Sequence, residues 1–297
     1  MFHVKHFQFA VRFIGVLAFG ISGCTPGNTV TQPTPSPPAV DTGSPLLPNT
    51  PPLRIGIKFS QPGMGLMVGD QPQGFDIDVA HYIASHLGYQ PSDIEWVEAL
   101  APAREILLNR GDVDLIVASY AQTPERAEAV DFAGPYFVAG QDVMVRSEDN
   151  TIHNVADLAG KRVCSNAGYT GFVRIQAMLH NNVEMSEGSR YIDCVQQLVD
   201  GAVDAVTTDD IILAGFAASP EYAGRVRLLG APFSEELYSV GLPPNSPALC
   251  LEVSGIIQEM ISDGSWERFL TQNTAGEDFT PNPTLNPPTK SLPCTRD

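Results

Sequence analysis

Two stretches of this chain follow one plan. Residues 108–120 (LNRGDVDLIVASY) and 198–210 (LVDGAVDAVTTDD) each close a helix in leucine, turn through Gly-x-Val-Asp and enter a hydrophobic strand with a polar far end. A chain that repeats such a unit is expected to build two similar lobes. Open α/β sheets bind ligands at the carboxyl ends of their strands. Those ends carry Ser119 in the first copy, and Thr208 and Asp209 in the second.

The flanking segments extend both copies. Residues 53–59 (LRIGIKF) alternate and read as a strand, and residues 75–87 place apolar side chains at helical spacing before Gly88. A short strand at 94–97, a short helix at 102–109 and a strand at 114–118 complete the first copy. The second has a strand at 161–164, a helix opened by Gly168-Tyr169-Thr170-Gly171, a helix at 194–199 and a strand at 203–206. Strand and helix alternate, so the expected fold class is α/β. Residues 142–146 (DVMVR) and 237–242 (LYSVGL) bracket the second copy and are expected to form two parallel hinge strands. Lobe one is then discontinuous, at 53–141 and 237–271 with helices at 249–261 and 266–270, and lobe two is 142–236. The outcome is a clamshell.

The ends are different material. Residues 1–23 read as a signal peptide, with Lys5 and Arg12 ahead of an apolar run too short to span a bilayer comfortably. Ile21-Ser22-Gly23-Cys24 resembles a lipobox, which implies cleavage before Cys24 and lipid on its thiol; an ordinary signal peptide or an uncleaved anchor is the alternative. Residues 25–52 hold nine prolines and few large apolar side chains, so 24–52 is expected to be a lipidated cysteine with an extended tether. The proline-rich tail, 272–297, is expected to lie on the domain surface as irregular chain. The formal charge of −17 argues against nucleic-acid binding. With Cys24 set aside, Cys164, Cys194, Cys250 and Cys294 allow three disulfide pairings. Cys164–Cys194 and Cys250–Cys294 join the nearest partners in sequence, and the first pair falls within one lobe.

Several chemical motifs fail on inspection. Gly63-Met64-Gly65 lacks the third glycine of a dinucleotide fingerprint at the right place and is expected to be a flexible loop. Asp76 and Asp78, two apart at a helix start, do not face each other and suit the helix dipole better than a metal. His81 and His86 are expected on a solvated helix face, and no cysteine or histidine spacing fits a metal site. No catalytic motif and no cofactor site is evident. Arg126 remains. It stands behind the 114–118 strand, and its planar fork suits a carboxylate. Thr170, at a helix N-terminus, offers donors to an anion, with Gly168 permitting close approach. Asp209 can accept an ammonium group or cap the following helix.

The segments Gly74-Phe75-Asp76-Ile77-Asp78-Val79-Ala80, Thr123-Pro124-Glu125-Arg126, Asp131-Phe132-Ala133-Gly134-Pro135-Tyr136, Val203 to Asp210 and Asp263-Gly264-Ser265-Trp266 resemble the extracytoplasmic amino-acid-binding proteins of ABC importers, and most of all their glutamate-binding lipoproteins. The resemblance spans nearly all of residues 53–270. It implies a type II periplasmic-binding-protein clamshell in which Arg126 grips the ligand α-carboxylate with Ser119 and position 121 nearby, while Thr170, Gly168, Thr208 and Asp209 complete the site from lobe two. It also supports the Cys164–Cys194 bridge. Lys58 to Gly63 resembles the first-strand loop of that branch, and Arg104 sits where the branch often has an arginine facing the ligand side chain; two cations near that end favour glutamate or aspartate over glutamine. The chain departs from the pattern at Ala121, where a hydroxyl is common, at Tyr169, where a small residue is usual, and at Ser239, where a hinge glycine is usual. The implied partners are an amino acid, permease subunits and, through lipid, the outer face of the cytoplasmic membrane; the protein itself is expected to be a monomer. A sensor feeding a signalling partner and a dehydratase-like enzyme are the rival readings on the same scaffold.

Overall fold

The computed structural model describes residue 47 and residues 51–166, 168–274 and 279–294. The expected signal segment, Cys24 and nearly all of the tether lie outside them. Among the described residues, no helix is long and apolar enough to cross a membrane.

The chain first lays down β1 (Leu53–Ile57), β2 (Ser60–Gln61), β3 (Gly65–Val68), β4 (Gln71–Gln73), α1 (Phe75–His86), β5 (Ile94–Glu98), α2 (Arg104–Arg110), β6 (Leu115–Ile116), α3 (Pro124–Ala129) and β7 (Asp131–Ala139). Next come β8 (Gln141–Arg146), β9 (Arg162–Asn166), α4 (Thr170–Met178), β10 (Glu184–Gly188), α5 (Tyr191–Val199), β11 (Ala205–Asp209), α6 (Asp210–Ala218) and β12 (Val226–Leu228). It returns through β13 (Glu236–Leu242), α7 (Pro247–Ser262) and α8 (Ser265–Thr274). One sheet has the order β5-β1-β6-β13-β7 and the other β10-β9-β11-β8-β12. The architecture is the expected two-lobed α/β clamshell.

The half-repeat reaches into side chains. Asp114 follows the turn at Gly111 and accepts from the Arg54 backbone N–H at 2.8 Å and from its Nη2 at 2.8 Å, while Arg54 Nη1 bonds the Gly111 carbonyl. Asp204 accepts from the Arg162 backbone at 2.9 Å and its Nη2 at 2.6 Å, and Arg162 bonds the Gly201 carbonyl. In each lobe the aspartate of Gly-x-Val-Asp thus fastens the central strand pair, β1–β6 or β9–β11, by a two-nitrogen arginine fork.

Three expectations change. The hinge strands are not the expected pair: residues 142–146 lie in β8, inside the lobe-two sheet between β11 and β12, and β13 instead pairs antiparallel with β7 from Glu236↔Ala139 to Leu242↔Asp131. One crossing leaves lobe one and the other re-enters it, so they must run in opposite directions. Residues 63–65 are no flexible loop, because β2, β3 and β4 close into a small antiparallel sheet through Gln61↔Gly65 and Leu66↔Gln73. His81 is half-buried, edge-on to Trp96 at 5.1 Å, while His86 is exposed and stacks on Tyr82.

The core of lobe one is aromatic. Phe75 and Phe137 meet Trp266 at 6.0 and 6.2 Å between ring centres, and Trp266 Nε1 donates to the Tyr136 carbonyl at 2.7 Å. The tail lies along β7: the Asn286 amide pairs with both backbone groups of Val138, and Leu292 N–H bonds the Gly134 carbonyl. Cys250–Cys294 and Cys164–Cys194 are the two disulfides. Closing loops of 44 and 30 residues removes unfolded-state entropy worth about 4 kcal/mol each in the chain-entropy account.

Candidate functional site

Lobe one contributes the cations. Lys58 follows β1 and is 1% exposed; Arg104 opens α2 and is fully buried. Arg104 therefore does not lie on an outer helix face. Its Nε donates to the Ala99 carbonyl at 3.3 Å and its Nη2 to the Ala118 carbonyl at 2.6 Å, while Nη1 is buried without a partner. Arg126 is positioned locally: Thr123 caps α3, its hydroxyl accepting from Arg126 N–H, and Pro124 fills the first helical position. Arg126 Nη1 then reaches back to the Ala121 carbonyl at 2.6 Å, and Nε stands 3.6 Å from Glu105. Both guanidinium groups lie against the Tyr120 ring, whose hydroxyl donates to Glu105. Burial lowers the pKa of Lys58 and of Arg126, and the charge of Arg104 pushes both the same way.

Ser119 sits at the end of the first repeat with φ +47°. Its hydroxyl lies 3.0 Å from Asp76 and 3.2 Å from Gln61, so it is engaged with α1 and β2. Asp76, which the sequence assigns to the helix dipole, is a fully buried acceptor for Ser119 and for the Tyr136 hydroxyl at 2.7 Å. Burial raises its pKa to about 6 despite those bonds.

Lobe two and the crossing strand contribute the anions. Asp209 ends β11 and accepts a hydrogen bond from Tyr238. It occupies the cap position of α6 but makes no side-chain cap bond. Burial and then Glu236 raise its pKa to about 7. The Thr170 hydroxyl, expected to serve a ligand anion, donates to the protein's own carboxylate at Glu236, at 2.9 Å. Glu236 also receives Arg174 and the Ser234 hydroxyl. Thr208 is buried in β11, opposite Asp142 in the ladder.

The lobes meet across these groups. Arg126 Nη2 donates to the Gly168 carbonyl at 2.7 Å, and Gln61 and Arg104 both donate to the Tyr169 hydroxyl, at 3.2 and 3.4 Å. Arg190 pairs with Glu98 at 3.0 Å. Gly168 packs so closely on Pro102 that a Cβ would stand 3.1 Å from its ring. Lys58, Arg104, Arg126 and Gly168 thus come together, Asp209 lies within electrostatic reach of Arg126, and Ala121 contributes only its carbonyl. Gln61, Asp76, Tyr120 and Glu236 were not foreseen. The one available signal was a charged residue, Glu236, at the head of the apolar run LYSVGL. A cleft with buried cations on one side and buried carboxylates on the other can hold a zwitterion.

Comparison with known proteins agrees with this geometry. The sequence profile of the bacterial extracellular solute-binding proteins, family 3, matches residues 53–274. A glutamate-binding protein, GluB, of Corynebacterium efficiens is 37% identical over 235 residues, which cover 76% of this chain and 79% of that one. The ABC transporter glutamine-binding protein GlnH of Bacillus subtilis is 32% identical over 196 residues, 66% of this chain and 70% of that one. Among solved structures, an ancestral arginine-binding protein bound to arginine superposes with a TM-score of 0.69 at 28% identity, over 75% of this chain and 98% of that one.

Proposed function

The chain belongs to the bacterial extracellular solute-binding proteins, family 3, and from that membership we propose that it captures an acidic amino acid, glutamate or aspartate, and presents it to an ABC permease. The carrying observation is the buried pair Lys58 and Arg104, with one guanidinium nitrogen lacking a partner. A buried guanidinium nitrogen without a hydrogen-bond partner is costly, and a ligand carboxylate at that end relieves the cost. Arg126 takes the α-carboxylate and Asp209 the ammonium group, with Thr170, Thr208, Ser119 and Gly168 shaping the surroundings. The ligand thereby favours the closed form by its differential affinity for it. The cysteine at position 24 carries the lipid that holds the domain on the outer face of the cytoplasmic membrane, and no bond is made or broken in the ligand. The likeness to a glutamate-binding and a glutamine-binding relative supports the ligand class.

The test is calorimetry of the soluble domain against glutamate, aspartate, glutamine, asparagine, arginine and lysine. Glutamate or aspartate is expected to bind tightest. Tight binding of arginine or lysine with no binding of the acidic pair would overturn the reading.

A further inference from the structure

Tyr169 is a lobe-two residue whose hydroxyl partners, Gln61 and Arg104, both belong to lobe one. Lys58 Nζ lies 5.9 Å from its ring centre and the Arg104 guanidinium carbon 5.4 Å. The phenol therefore lies against both cations, and only 7% of the residue is exposed. Behind it Tyr191 packs edge-on at 4.9 Å. Beside it Gly168, at φ +78°, is pressed on Pro102 and its carbonyl is held by Arg126.

We propose that Tyr169 is the length gauge of the site: its ring closes the side-chain subsite, so that the protein accepts acidic amino acids no longer than glutamate. The inference rests on the acidic reading above. A rigid aromatic wall rejects an added methylene by contact, and in a fixed pocket one methylene is worth roughly 10- to 200-fold in discrimination.

The probes are aspartate, glutamate and 2-aminoadipate, titrated calorimetrically into the native protein and Tyr169→Ala. The native protein is expected to bind 2-aminoadipate at least about tenfold more weakly than glutamate. In Y169A the 2-aminoadipate-to-aspartate affinity ratio is expected to rise at least about tenfold. A smaller rise, or native binding of 2-aminoadipate on a par with glutamate, overturns the gauge and leaves the acidic reading standing. Native protein that binds none of the three overturns both. If Y169A melts below the titration temperature, Tyr169→Leu is read by the same ratio, since leucine keeps an apolar side chain against Tyr191 but not the reach of the ring.

Discussion

Replacing Arg104 by methionine tests the side-chain end of the site most directly. Methionine keeps much of the volume and removes the charge. Arg104 already donates to the carbonyls of Ala99 and Ala118, and its Nη1 is the nitrogen left to receive a ligand carboxylate. Truncating one member of a buried, hydrogen-bonded charge pair costs about 2–5 kcal/mol. Lys58 stays in place as a second buried cation, so the loss belongs at the lower end of that range. At about 1.4 kcal/mol per decade, glutamate affinity is expected to fall roughly 30- to 300-fold. Glutamine presents a neutral amide to the guanidinium, a hydrogen bond with one charged partner whose loss costs about 1.5–3 kcal/mol, or roughly 12- to 160-fold. Taking like ends of the two ranges, the glutamate-to-glutamine ratio should therefore drop about twofold. The two stripped carbonyls cost about 1–3 kcal/mol each in stability, partly offset by removing a buried charge. Melting curves must accompany the calorimetry so that unfolding is not mistaken for weak binding. A variant that is folded at the titration temperature, binds glutamate less than about tenfold more weakly than the native protein and shows no fall in the glutamate-to-glutamine ratio would refute the assignment of Arg104.

The remaining predictions concern pH and closure. Asp209 is raised to about 7, and Asp76 and Asp210 to about 6, each by burial first. The folded state then holds protons that the unfolded chain releases near pH 4, so stability is fullest below that pH and falls as pH rises through 6 to 7. The melting temperature without added amino acid should be lower at pH 8 than at pH 5, and a rise across that window would contradict the burial of these groups. Affinity for amino acids should run the other way and strengthen as Asp209 ionises, which calorimetry at pH 6 and pH 8 would measure. Gly215 stands on α6, where a Cβ would meet the Pro62 carbonyl of lobe one at 2.0 Å. Alanine is about 1 kcal/mol better than glycine within a helix, but overpacking costs about 1–3 kcal/mol, so Gly215→Ala should oppose closure. Every amino acid should bind roughly tenfold more weakly with selectivity unchanged, and unaltered affinities would show that the β2–β3 turn at Pro62 yields without cost.

The two lobes were legible because their signal is local. A helix end, a glycine turn and a hydrophobic strand occupy thirteen consecutive residues in each copy, and their aspartates recruit Arg54 and Arg162 in the same way. The longest strand, β7, was not legible. Its sequence, DFAGPYFVA, holds a glycine and a proline, which ordinarily mark a break. The structure accommodates them at a register shift: the ladder steps from Tyr238↔Phe137 to Val240↔Ala133, so Pro135 is spared a ladder bond. Asp76 shows the limit for single residues. At a helix start an acid is fully explained by the dipole, and only the approach of Ser119 and Tyr136, 43 and 60 residues away, makes it a buried acceptor.

On the proposed function, the division of charge between the lobes couples closure to ligand capture. Within lobe one, burial first and then the charge of Arg104 lower the pKa of both Lys58 and Arg126. In lobe two, burial first and then Glu236 raise that of Asp209. Like charges are thus crowded on each side, with Glu105 beside Arg126 and Arg174 on Glu236 offsetting part of the crowding. Across the cleft Arg126 lies within electrostatic reach of Asp209 and the phenol of Tyr169 accepts from Arg104, which offsets part of that crowding on both sides. An amino acid laid between them, carboxylates toward lobe one and ammonium toward Asp209, relieves both further. A ligand with only one of these charges relieves only one side and so shifts the equilibrium less.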